Sequence, residues 1–201
     1  MPDRNDGLTL ALLSGPEVRG VLADLAALRL TIFREFPYLY DGRLDDELNY
    51  LEQYATTPEA LVATVRDAGR VIGAATGIPL AAEGAELVDP VRTTACRVEE
   101  IYYVGELLFY REYRNRGLGL TLLQRIEDAV RRFGNYRYLA CATVQRPEDH
   151  PARPADYLPI ERFLKRTGFA ALGDLVTGFT WQELDGEKRY HPMKYWIKQL
   201  D

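Results

Sequence analysis

The stretch GELLFYREYRNRGLGLTLL, residues 105–123, decides how the rest of the chain is interpreted. Its first part is apolar and β-prone and its last part has leucines at helical spacing, so it predicts a strand, a loop and a helix in succession. Three arginines and the glycines at 117 and 119 fall at the loop. The first amides of a helix lack intrahelical partners and meet the positive end of its dipole, so this arrangement predicts a phosphate site.

The loop chemistry narrows the kind of phosphate site. Gly117 and Gly119 let an anion approach the backbone closely, and Arg114 and Arg116 can add charge-assisted contacts. The loop lacks the G-x-x-x-x-G-K-[ST] pattern of a P-loop and the third glycine of a dinucleotide fingerprint. The competing interpretation is an ordinary helix start with solvated arginines.

The pattern on either side of this stretch extends the prediction to the whole chain. Periodicity and turn residues predict, in order, strand 8–13, helix 16–36, helix 44–55, hairpin strands 60–66 and 70–79, an acidic loop 81–90, strand 99–110, helix 117–133, strand 136–145, a polar loop 146–156, helix 159–167, and strands 174–184 and 190–199. A hairpin beside a strand–loop–helix–strand unit implies a mixed sheet with helices on both faces.

Length and composition limit the class of protein. The chain has 201 residues, which suits a single domain over 1–201, and its net charge of −5 argues against a general nucleic-acid partner. Cys96 and Cys141 lack metal-ligand spacing, so no metal site is expected and both are interpreted as reduced cytosolic thiols. The start of the chain has acids at Asp3 and Asp6, and no apolar segment has transmembrane length. We therefore expect a cytoplasmic protein with no membrane partner.

Two segments of the chain carry a family resemblance. Arg114-Asn115-Arg116-Gly117-Leu118-Gly119 matches the pattern [QR]-x-x-G-x-[GA], and with its flanks it resembles the acyl-CoA-binding motif of the GNAT superfamily of N-acetyltransferases. The segment ERFLKRTGF, residues 161–169, is similar to the closing helix of that family, which typically ends in Gly-Phe. The resemblance implies an α/β (α+β) fold with a mixed, mostly antiparallel sheet of six to seven strands.

The resemblance also implies where a cofactor would bind. Acetyl-CoA would lie in the gap between splayed strands 99–110 and 136–145, with its pantetheine along the backbone of Leu107, Leu108 and Phe109. Its pyrophosphate would meet the backbone amides of residues 114–119. Because backbone shape matters more than side chains there, the glycines should be harder to replace than Arg116.

Transfer of an acetyl group to an amine needs a group that takes a proton. An alkyl amine has a pKa of roughly 10 and arrives protonated, so a carboxylate is needed as general base. Glu106, on the strand beside the proposed cofactor, is the candidate, and the competing interpretation is a glutamate that faces solvent. Glu99 and Glu100 are backups, and strand alternation places Glu100 on the same face as Glu106.

The departing thiolate must also gain a proton. The family usually has a tyrosine five residues before the phenylalanine of Gly-Phe, and this chain has Leu164 there. Either Tyr157, just upstream, is the general acid, or the thiolate leaves unaided, since a thiol pKa is only about 8.5. Tyr157 has the alternative role of a packing tyrosine.

Two loops are candidates for the acceptor site. Tyr38 and Tyr40 can form an aromatic wall and Asp41 can hold an ammonium group, in a region that commonly covers the acceptor in GNAT proteins. His150 lies in loop 146–156, beside the proposed acetyl group. The competing interpretations are a helix–helix turn with core aromatics and a proline-stiffened surface loop.

The function predicted from these features is acetyl transfer from acetyl-CoA to a primary amine on a small molecule. Two alternatives stay open: a non-catalytic acyl-CoA-binding or sensing protein with the same fold, and a binding domain for another phosphorylated ligand such as a nucleotide. The sequence does not identify the acceptor amine, and a homodimer is an expectation from the family alone.

Overall fold

The computed structural model describes residues 7–200. Asp3 and Asp6 lie outside the described residues. The strands are β1 (Leu8–Ser14), β2 (Leu61–Asp67), β3 (Arg70–Pro79), β4 (Ile101–Phe109), β5 (Tyr138–Val144), β6 (Ala170–Gln182) and β7 (Lys188–Gln199). The helices are α1 (Leu22–Ile32), α2 (Leu44–Leu51), α3 (Gln53–Thr56), α4 (Ala85–Arg92), α5 (Leu118–Phe133) and α6 (Glu161–Arg166).

All seven strands form one sheet in the order β1-β2-β3-β4-β5-β7-β6. Each neighbouring pair is antiparallel except β4 and β5, which are parallel because α5 connects them across one face. The predicted mixed, mostly antiparallel sheet is therefore confirmed.

Helices cover both faces of the sheet, as predicted. Leu25 and Leu28 of α1 are buried in the core on one face, and Leu122 and Ile126 of α5 are buried in the core on the other. The apolar stripe of α5 ends at Gly134, whose φ of 79° is the left-handed geometry that ends a helix. Burying a leucine-sized side chain contributes about 1.5–3 kcal/mol, so these two stripes hold the helices to the sheet.

The predicted acidic loop 81–90 is wrong, because residues Ala85–Arg92 form helix α4. Leu87, Val88 and Val91 form a buried stripe at helical spacing, which the acidic residues and Pro90 obscured in the sequence. Pro90 has no amide to donate to the carbonyl of Glu86, and the hydroxyl of Thr177 on β6 donates to that carbonyl instead. A tertiary contact thus compensates for the proline.

The predicted strand 99–110 begins too early. Val98–Glu100 form a short 3-10 turn, so the backup carboxylates Glu99 and Glu100 lie before β4 rather than on it. Alternation is also interrupted, because Thr76 pairs with Glu106 while Gly77 pairs with Val104 across a bulge. The inference that Glu100 lies on the same strand face as Glu106 is therefore wrong.

Other boundaries differ by a few residues. The predicted helix 16–36 is a 3-10 turn over Gly15–Val21 followed by α1, which ends at Ile32, and the predicted helix 159–167 is limited to α6. Strand β6 begins at Ala170, four residues before the predicted start. These differences lie at element ends, where local sequence signals are weakest.

Candidate active site

Strands β4 and β5 separate soon after they meet. Their parallel pairing is limited to Ile101 with Tyr138, Tyr102 with Leu139, and Tyr103 with Ala140. Beyond Tyr103, β4 pairs only with β3 and β5 pairs only with β7. The rest of β4 therefore presents one backbone edge to an open gap, as the family resemblance implied.

The direction of each backbone group on this edge follows from one hydrogen bond. The amide of Tyr110 donates to the carbonyl of Ile72 on β3 at 3.2 Å. Because backbone groups alternate sides along a strand, Leu108 faces β3, and Leu107 and Phe109 face the gap. An extended group in the gap would therefore pair with Leu107 and Phe109, and Leu108 is placed between these two contacts.

The loop at the end of the gap has the backbone shape of an anion site. Asn115 and Gly117 have φ values of 61° and 80°, in the left-handed region. Gly117 is the N-cap of α5 and no side chain caps that helix end. The first amides of α5 have no intrahelical acceptor and meet the positive end of the helix dipole. These residues fit a phosphate group at the start of α5.

The sequence predicted that the Arg114 side chain contacts the bound anion, but in the structure it pairs with Phe109 and Glu35. Its Nε donates to the Phe109 carbonyl at 2.8 Å, and its two terminal nitrogens donate to Glu35 at 2.7 Å and 2.9 Å. Arg114 therefore shapes the loop, and its charge is balanced by Glu35. Arg116 stays at the loop, where it donates to the Glu112 carbonyl at 2.6 Å and lies over the Tyr113 ring.

Glu106 is buried, so the interpretation of a solvent-facing strand glutamate is wrong. Its Oε1 accepts a hydrogen bond from Arg29 and its Oε2 accepts one from Thr76. Arg29 also donates to Glu47, and its guanidinium lies 4.3 Å from the Tyr50 ring centroid. Glu106 is thus part of a buried Glu–Arg–Glu triad.

The triad keeps its arginine charged. Burial acts to lower the Arg29 pKa, but the charge of Glu106 and contributions from Tyr50 and Glu47 outweigh it, so the pKa is raised. One positive and two negative groups leave the triad with net negative charge. This favours a cation nearby, such as a substrate ammonium group.

Sequence reasoning missed Arg29, Glu47 and Thr76. A signal did exist for Arg29, because it lies one helical turn after Leu25 and next to Leu28, on the buried face of α1. A charged residue on an apolar stripe needs a buried partner. The sequence does not reveal that the partners are Glu47 and Glu106.

The predicted acceptor segment packs against the edge strand β6 and within electrostatic reach of the triad. The Tyr38 ring lies 4.4 Å from Phe33 and stacks on Trp181, and burial and then the charge of Glu106 raise the Tyr38 pKa. Tyr40 forms a β-bridge with Glu183, and burial and then the charge of Glu47 raise its pKa to about 12. Both tyrosines therefore stay neutral at physiological pH.

Asp41, His150 and Tyr157 are partly buried, like the two tyrosines. Asp41 pairs with Arg34 at 2.5 Å, so its carboxylate already has a cationic neighbour. The Phe36 ring brings the two predicted loops together, with His150 at 5.5 Å and Tyr157 at 4.7 Å between ring centroids. Burial and then Glu161 raise the Tyr157 pKa, so its hydroxyl keeps its proton.

Arg146 joins the two predicted loops to Glu183, which directly follows strand β6, and the sequence analysis did not select it. It donates to the carbonyls of Pro37 and Tyr38 at 2.7 Å and 3.0 Å and pairs with Glu183 at 2.6 Å. A groove of about 450 Å³ lies beside it, lined also by His150 and Leu39. Because these contacts are between distant segments, local sequence patterns do not reveal them.

The sequence predicted no general acid at Leu164 and a free thiol at Cys141, and the structure agrees with both. Leu164 is buried in the core beneath α5 and offers no hydroxyl. Cys141 lies on β5 beyond the last β4 pair, and burial and then Glu161 raise its pKa to about 12. Cys96 and Cys141 are both free thiols.

Among residues 7–200, no set of three or more His, Cys, Asp or Glu side chains is placed to hold a metal ion. No helix in that range combines the length and apolar character needed to cross a bilayer.

Comparison with known proteins assigns this chain to a family. The family model of the acetyltransferase (GNAT) family matches residues 25–155. This match spans more than half of the chain, so the protein belongs to the acetyltransferase (GNAT) family. Among curated proteins, none matches the sequence significantly.

Solved structures have the same fold at low sequence identity. YncA from Salmonella typhimurium, solved with its cofactor acetyl-CoA, has a TM-score of 0.60 and 15% identity, with 96% of this chain and 94% of that chain covered. An aminoglycoside 6'-N-acetyltransferase complexed with coenzyme A has a TM-score of 0.58 and 16% identity, over 96% and 97%. A variant of spermidine N-acetyltransferase SpeG from Vibrio cholerae has a TM-score of 0.59 and 17% identity, over 98% and 95%. At these identities the likeness establishes the fold alone.

Proposed function

We propose that this protein is an acetyl-CoA-dependent N-acetyltransferase that acts on a primary amine of a small molecule. The observation that carries the proposal is the open edge of β4, which runs from the buried Glu106 to the left-handed loop at the start of α5. A catalytic carboxylate and a phosphate-binding loop are thereby connected by a strand edge suited to an extended cofactor arm.

Acetyl-CoA is the cosubstrate, and the chain offers backbone groups for its pantetheine arm and for its pyrophosphate. The backbone of Leu107 and Phe109, with Leu108 between them, would pair with the amides of the pantetheine arm. The pyrophosphate would meet the amides of the loop, made up of Arg114, Asn115, Arg116, Gly117, Leu118 and Gly119. Related structures solved with acetyl-CoA or coenzyme A support this assignment.

The chemistry requires removal of a proton and release of a thiolate. Glu106 takes a proton from the substrate ammonium group, so that the neutral amine attacks the thioester carbonyl. The new C–N bond forms, the C–S bond breaks, and the electron pair leaves on sulfur. Tyr157, which keeps its proton, protonates the thiolate, and the second proton that the nitrogen loses as the amide forms restores the Tyr157 hydroxyl. If the thiolate leaves unaided, since a thiol pKa is about 8.5, that second proton passes to solvent.

The acceptor would lie between the two loops joined by Arg146. Tyr38 and Tyr40 would form the aromatic wall, and Asp41 and His150 would contact polar groups of the amine. Related structures include acetyltransferases named for an aminoglycoside and for spermidine, both of which are amines, and this supports a small cationic acceptor.

The proposal also includes a cellular compartment and an oligomeric state. The free thiols Cys96 and Cys141 fit a reducing compartment, so we place the protein in the cytoplasm. A homodimer remains an expectation from the family.

Thermal unfolding with and without acetyl-CoA tests the cofactor site. A ligand that binds only the folded state, at about 100 times its dissociation constant, adds roughly 2.7 kcal/mol of stability. The shift in Tm should be lost in Gly117→Glu, which places a carboxylate where the pyrophosphate would lie. Absence of any shift in the unmodified protein at millimolar acetyl-CoA would contradict the proposal and favour another phosphorylated ligand.

A screen of primary amines, with thiol release as the readout, separates an enzyme from a sensor. The unmodified protein should acetylate at least one amine, and Glu106→Gln should lower kcat by about 10²-fold or more while acetyl-CoA still shifts the Tm. Binding of acetyl-CoA without acetylation of any amine would favour a non-catalytic acyl-CoA-binding protein.

A further inference from the structure

The hydroxyl group of Thr76 makes three contacts beside the candidate base. It accepts a hydrogen bond from the Glu106 amide at 3.1 Å, it donates to Glu106 Oε2, and its oxygen lies 3.2 Å from the Tyr54 hydroxyl oxygen. The Tyr54 oxygen in turn lies 3.3 Å from the Tyr50 hydroxyl oxygen. Thr76 and Tyr54 are enclosed, at 1% and 0% exposure, so their hydroxyl groups depend on one another for hydrogen bonds.

The glycine before Glu106 keeps these hydroxyl groups in direct contact. A Cβ on Gly105 would lie 2.6 Å from the Tyr54 hydroxyl oxygen and 3.1 Å from Thr76 Oγ1. The first distance is too short for a real contact, so the two hydroxyl groups fill the space that a side chain would occupy. Their contact therefore depends on a residue without a side chain at the bulge in β4.

The single proton of the Thr76 hydroxyl group fixes the direction of each hydrogen bond. A hydroxyl group has one proton to donate and two lone pairs, and one lone pair of Thr76 accepts from the Glu106 amide. Thr76 must therefore donate to one of its two remaining partners and accept from the other. While Glu106 is charged, its Oε2 has no proton, so Thr76 donates to Oε2 and Tyr54 donates to Thr76.

Protonation of Glu106 reverses what its carboxyl group needs. Once the substrate amine has become an amide, the new O–H group of Glu106 needs another acceptor. Arg29, which contacts Oε1, has only donor groups, whereas Thr76 at Oε2 can accept. Among the groups of residues 7–200 that hydrogen-bond to this carboxyl, Thr76 is therefore the only one able to accept its proton in a hydrogen bond.

Tyr54 can take part in both arrangements. Its contact with the Tyr50 hydroxyl fits donation in either direction. Burial, and then the charge of Glu106, raise the Tyr54 pKa, so Tyr54 stays a neutral hydroxyl group that can both donate and accept. Tyr54 can therefore donate to Thr76 in one arrangement and accept from it in the other.

We propose that Thr76 and Tyr54 are positioning residues whose hydroxyl groups turn around when Glu106 takes the substrate proton, and so hold that proton on Oε2 until the product leaves. The inference rests on the proposed acetyltransferase function. An N–H bond of the substrate ammonium group breaks and an O–H bond forms at Oε2. Thr76 then accepts from Oε2 and donates to Tyr54, and Tyr54 donates to Tyr50. The hydroxyl groups rotate but exchange no proton, so among these side chains only Glu106 changes charge.

The first test is the steady-state kinetics of Tyr54→Phe, with an amine that the unmodified protein acetylates. The variant leaves the Thr76 proton without an acceptor only while Glu106 is protonated, so kcat should fall by about tenfold. The KM for the amine and the KM for acetyl-CoA should each stay within about twofold, because the charged Glu106 keeps its hydrogen bond from Thr76. An unchanged kcat in folded Tyr54→Phe overturns the proposal.

Tyr195→Phe is the matched control. Tyr195 is as enclosed as Tyr54, at 0% exposure, but its hydroxyl group donates to the Leu87 carbonyl and not to Thr76. Its kcat should stay close to that of the unmodified protein. An equal loss of kcat in both variants would indicate an effect of packing and would also overturn the proposal.

Variants of Thr76 show whether Tyr54 acts through it, and they serve as the test if Tyr54→Phe does not fold. Thr76→Val removes the hydroxyl group and should lower kcat by more than Tyr54→Phe does, whereas Thr76→Ser keeps a hydroxyl group and should retain most of kcat. Adding Tyr54→Phe to Thr76→Val should lower kcat no further, because Tyr54 has no hydroxyl group left to contact. Equal kcat in the valine and serine variants, or additive losses in the double variant, contradicts the proposal.

The outcomes also separate this proposal from the proposed function. If the unmodified protein binds acetyl-CoA but acetylates no amine, the acetyltransferase assignment fails and the role of the hydroxyl groups fails with it. If the protein acetylates an amine and Glu106→Gln lowers kcat, but neither Tyr54→Phe nor Thr76→Val does, only the role of the hydroxyl groups is wrong.

Discussion

Arg114 donates two parallel hydrogen bonds to the carboxylate of Glu35, at 2.7 Å and 2.9 Å. The pair joins the loop before α5 to the turn after α1, and Arg114 also holds the Phe109 carbonyl at the end of β4. One side chain therefore orients both the strand edge and the loop that we assign to acetyl-CoA. Bidentate pairing is what a guanidinium provides and an ammonium does not.

Glu35→Gln should therefore weaken acetyl-CoA binding although Glu35 does not touch the proposed cofactor. We expect a loss of about 1 kcal/mol in binding, because the pair is partly exposed and screened. Isothermal titration calorimetry with acetyl-CoA measures this loss. Glu52→Gln is the control, since Glu52 forms an exposed pair with Arg19 away from the loop. An equal affinity in both variants would show that the Arg114–Glu35 pair does not organise the site.

Gly117 and Gly119 should respond differently to alanine. Gly117 has a φ of 80°, so Gly117→Ala should destabilise the protein by about 1 kcal/mol through backbone strain. A Cβ on Gly119 meets the Leu107 side chain at 3.5 Å and the Phe163 ring at 4.0 Å, both ordinary contacts, so Gly119→Ala should fold normally. Urea unfolding measures both. Gly119→Ala should nevertheless lose acetyl-CoA affinity if the phosphate approaches the backbone there, and retained affinity would place the phosphate elsewhere.

Removal of Arg29 should be among the most damaging single changes. Arg29→Ala leaves Glu47 and Glu106 buried without their shared cation, and breaking such a network costs about 3–5 kcal/mol. The midpoint of urea unfolding should drop accordingly. Arg29→Met combined with Glu47→Gln and Glu106→Gln should recover much of that loss, because no unpaired charge remains. If the triple variant is no more stable than Arg29→Ala, packing rather than charge explains the loss.

Glu83→Gln should stabilise the protein at alkaline pH. The folded-state Glu83 pKa is raised to about 7, above its unfolded value, so folding favours the protonated form. The unmodified protein therefore loses stability as pH rises through about 7, by at most about 3 kcal/mol, and the loss is absent at acidic pH below the unfolded pKa. Glutamine cannot ionise and should remove this loss. Thermal unfolding of both proteins at pH 5 and pH 8.5 tests the sign, and a less stable variant at pH 8.5 would contradict it.

Arg146→Ala should affect the acceptor amine more than acetyl-CoA. Arg146 holds the carbonyls of Pro37 and Tyr38, and its loss frees the segment that carries the proposed aromatic wall. The KM for the amine should rise by about tenfold or more while the KM for acetyl-CoA stays within twofold. Steady-state kinetics with each substrate varied in turn measures this. Arg92→Ala, at an exposed position on α4, is the control.

Some features of the fold follow from local patterns and were predicted well. Helix α5, its stop at Gly134 and the hairpin of β2 and β3 follow from apolar periodicity and turn residues, which act over a few residues. Helix α4 was missed because its amphipathic stripe is short and contains Pro90. Pro90 cannot donate to the Glu86 carbonyl, and Thr177 on the distant strand β6 donates to it instead. A local pattern cannot report such a compensation.

The sequence by itself determined the family, the position of the loop with Gly117 and Gly119, and Glu106 as the candidate carboxylate, because these depend on contiguous residues. Only the tertiary structure decided that Glu106 is buried and held by Arg29 and Thr76, which lie 77 and 30 positions away in the chain. It also placed Glu83 close enough to Glu106 for the two carboxylates to interact electrostatically. The physical reason is that burial, pairing and pKa depend on which distant side chains meet in a low-dielectric interior, and chain order does not contain that information.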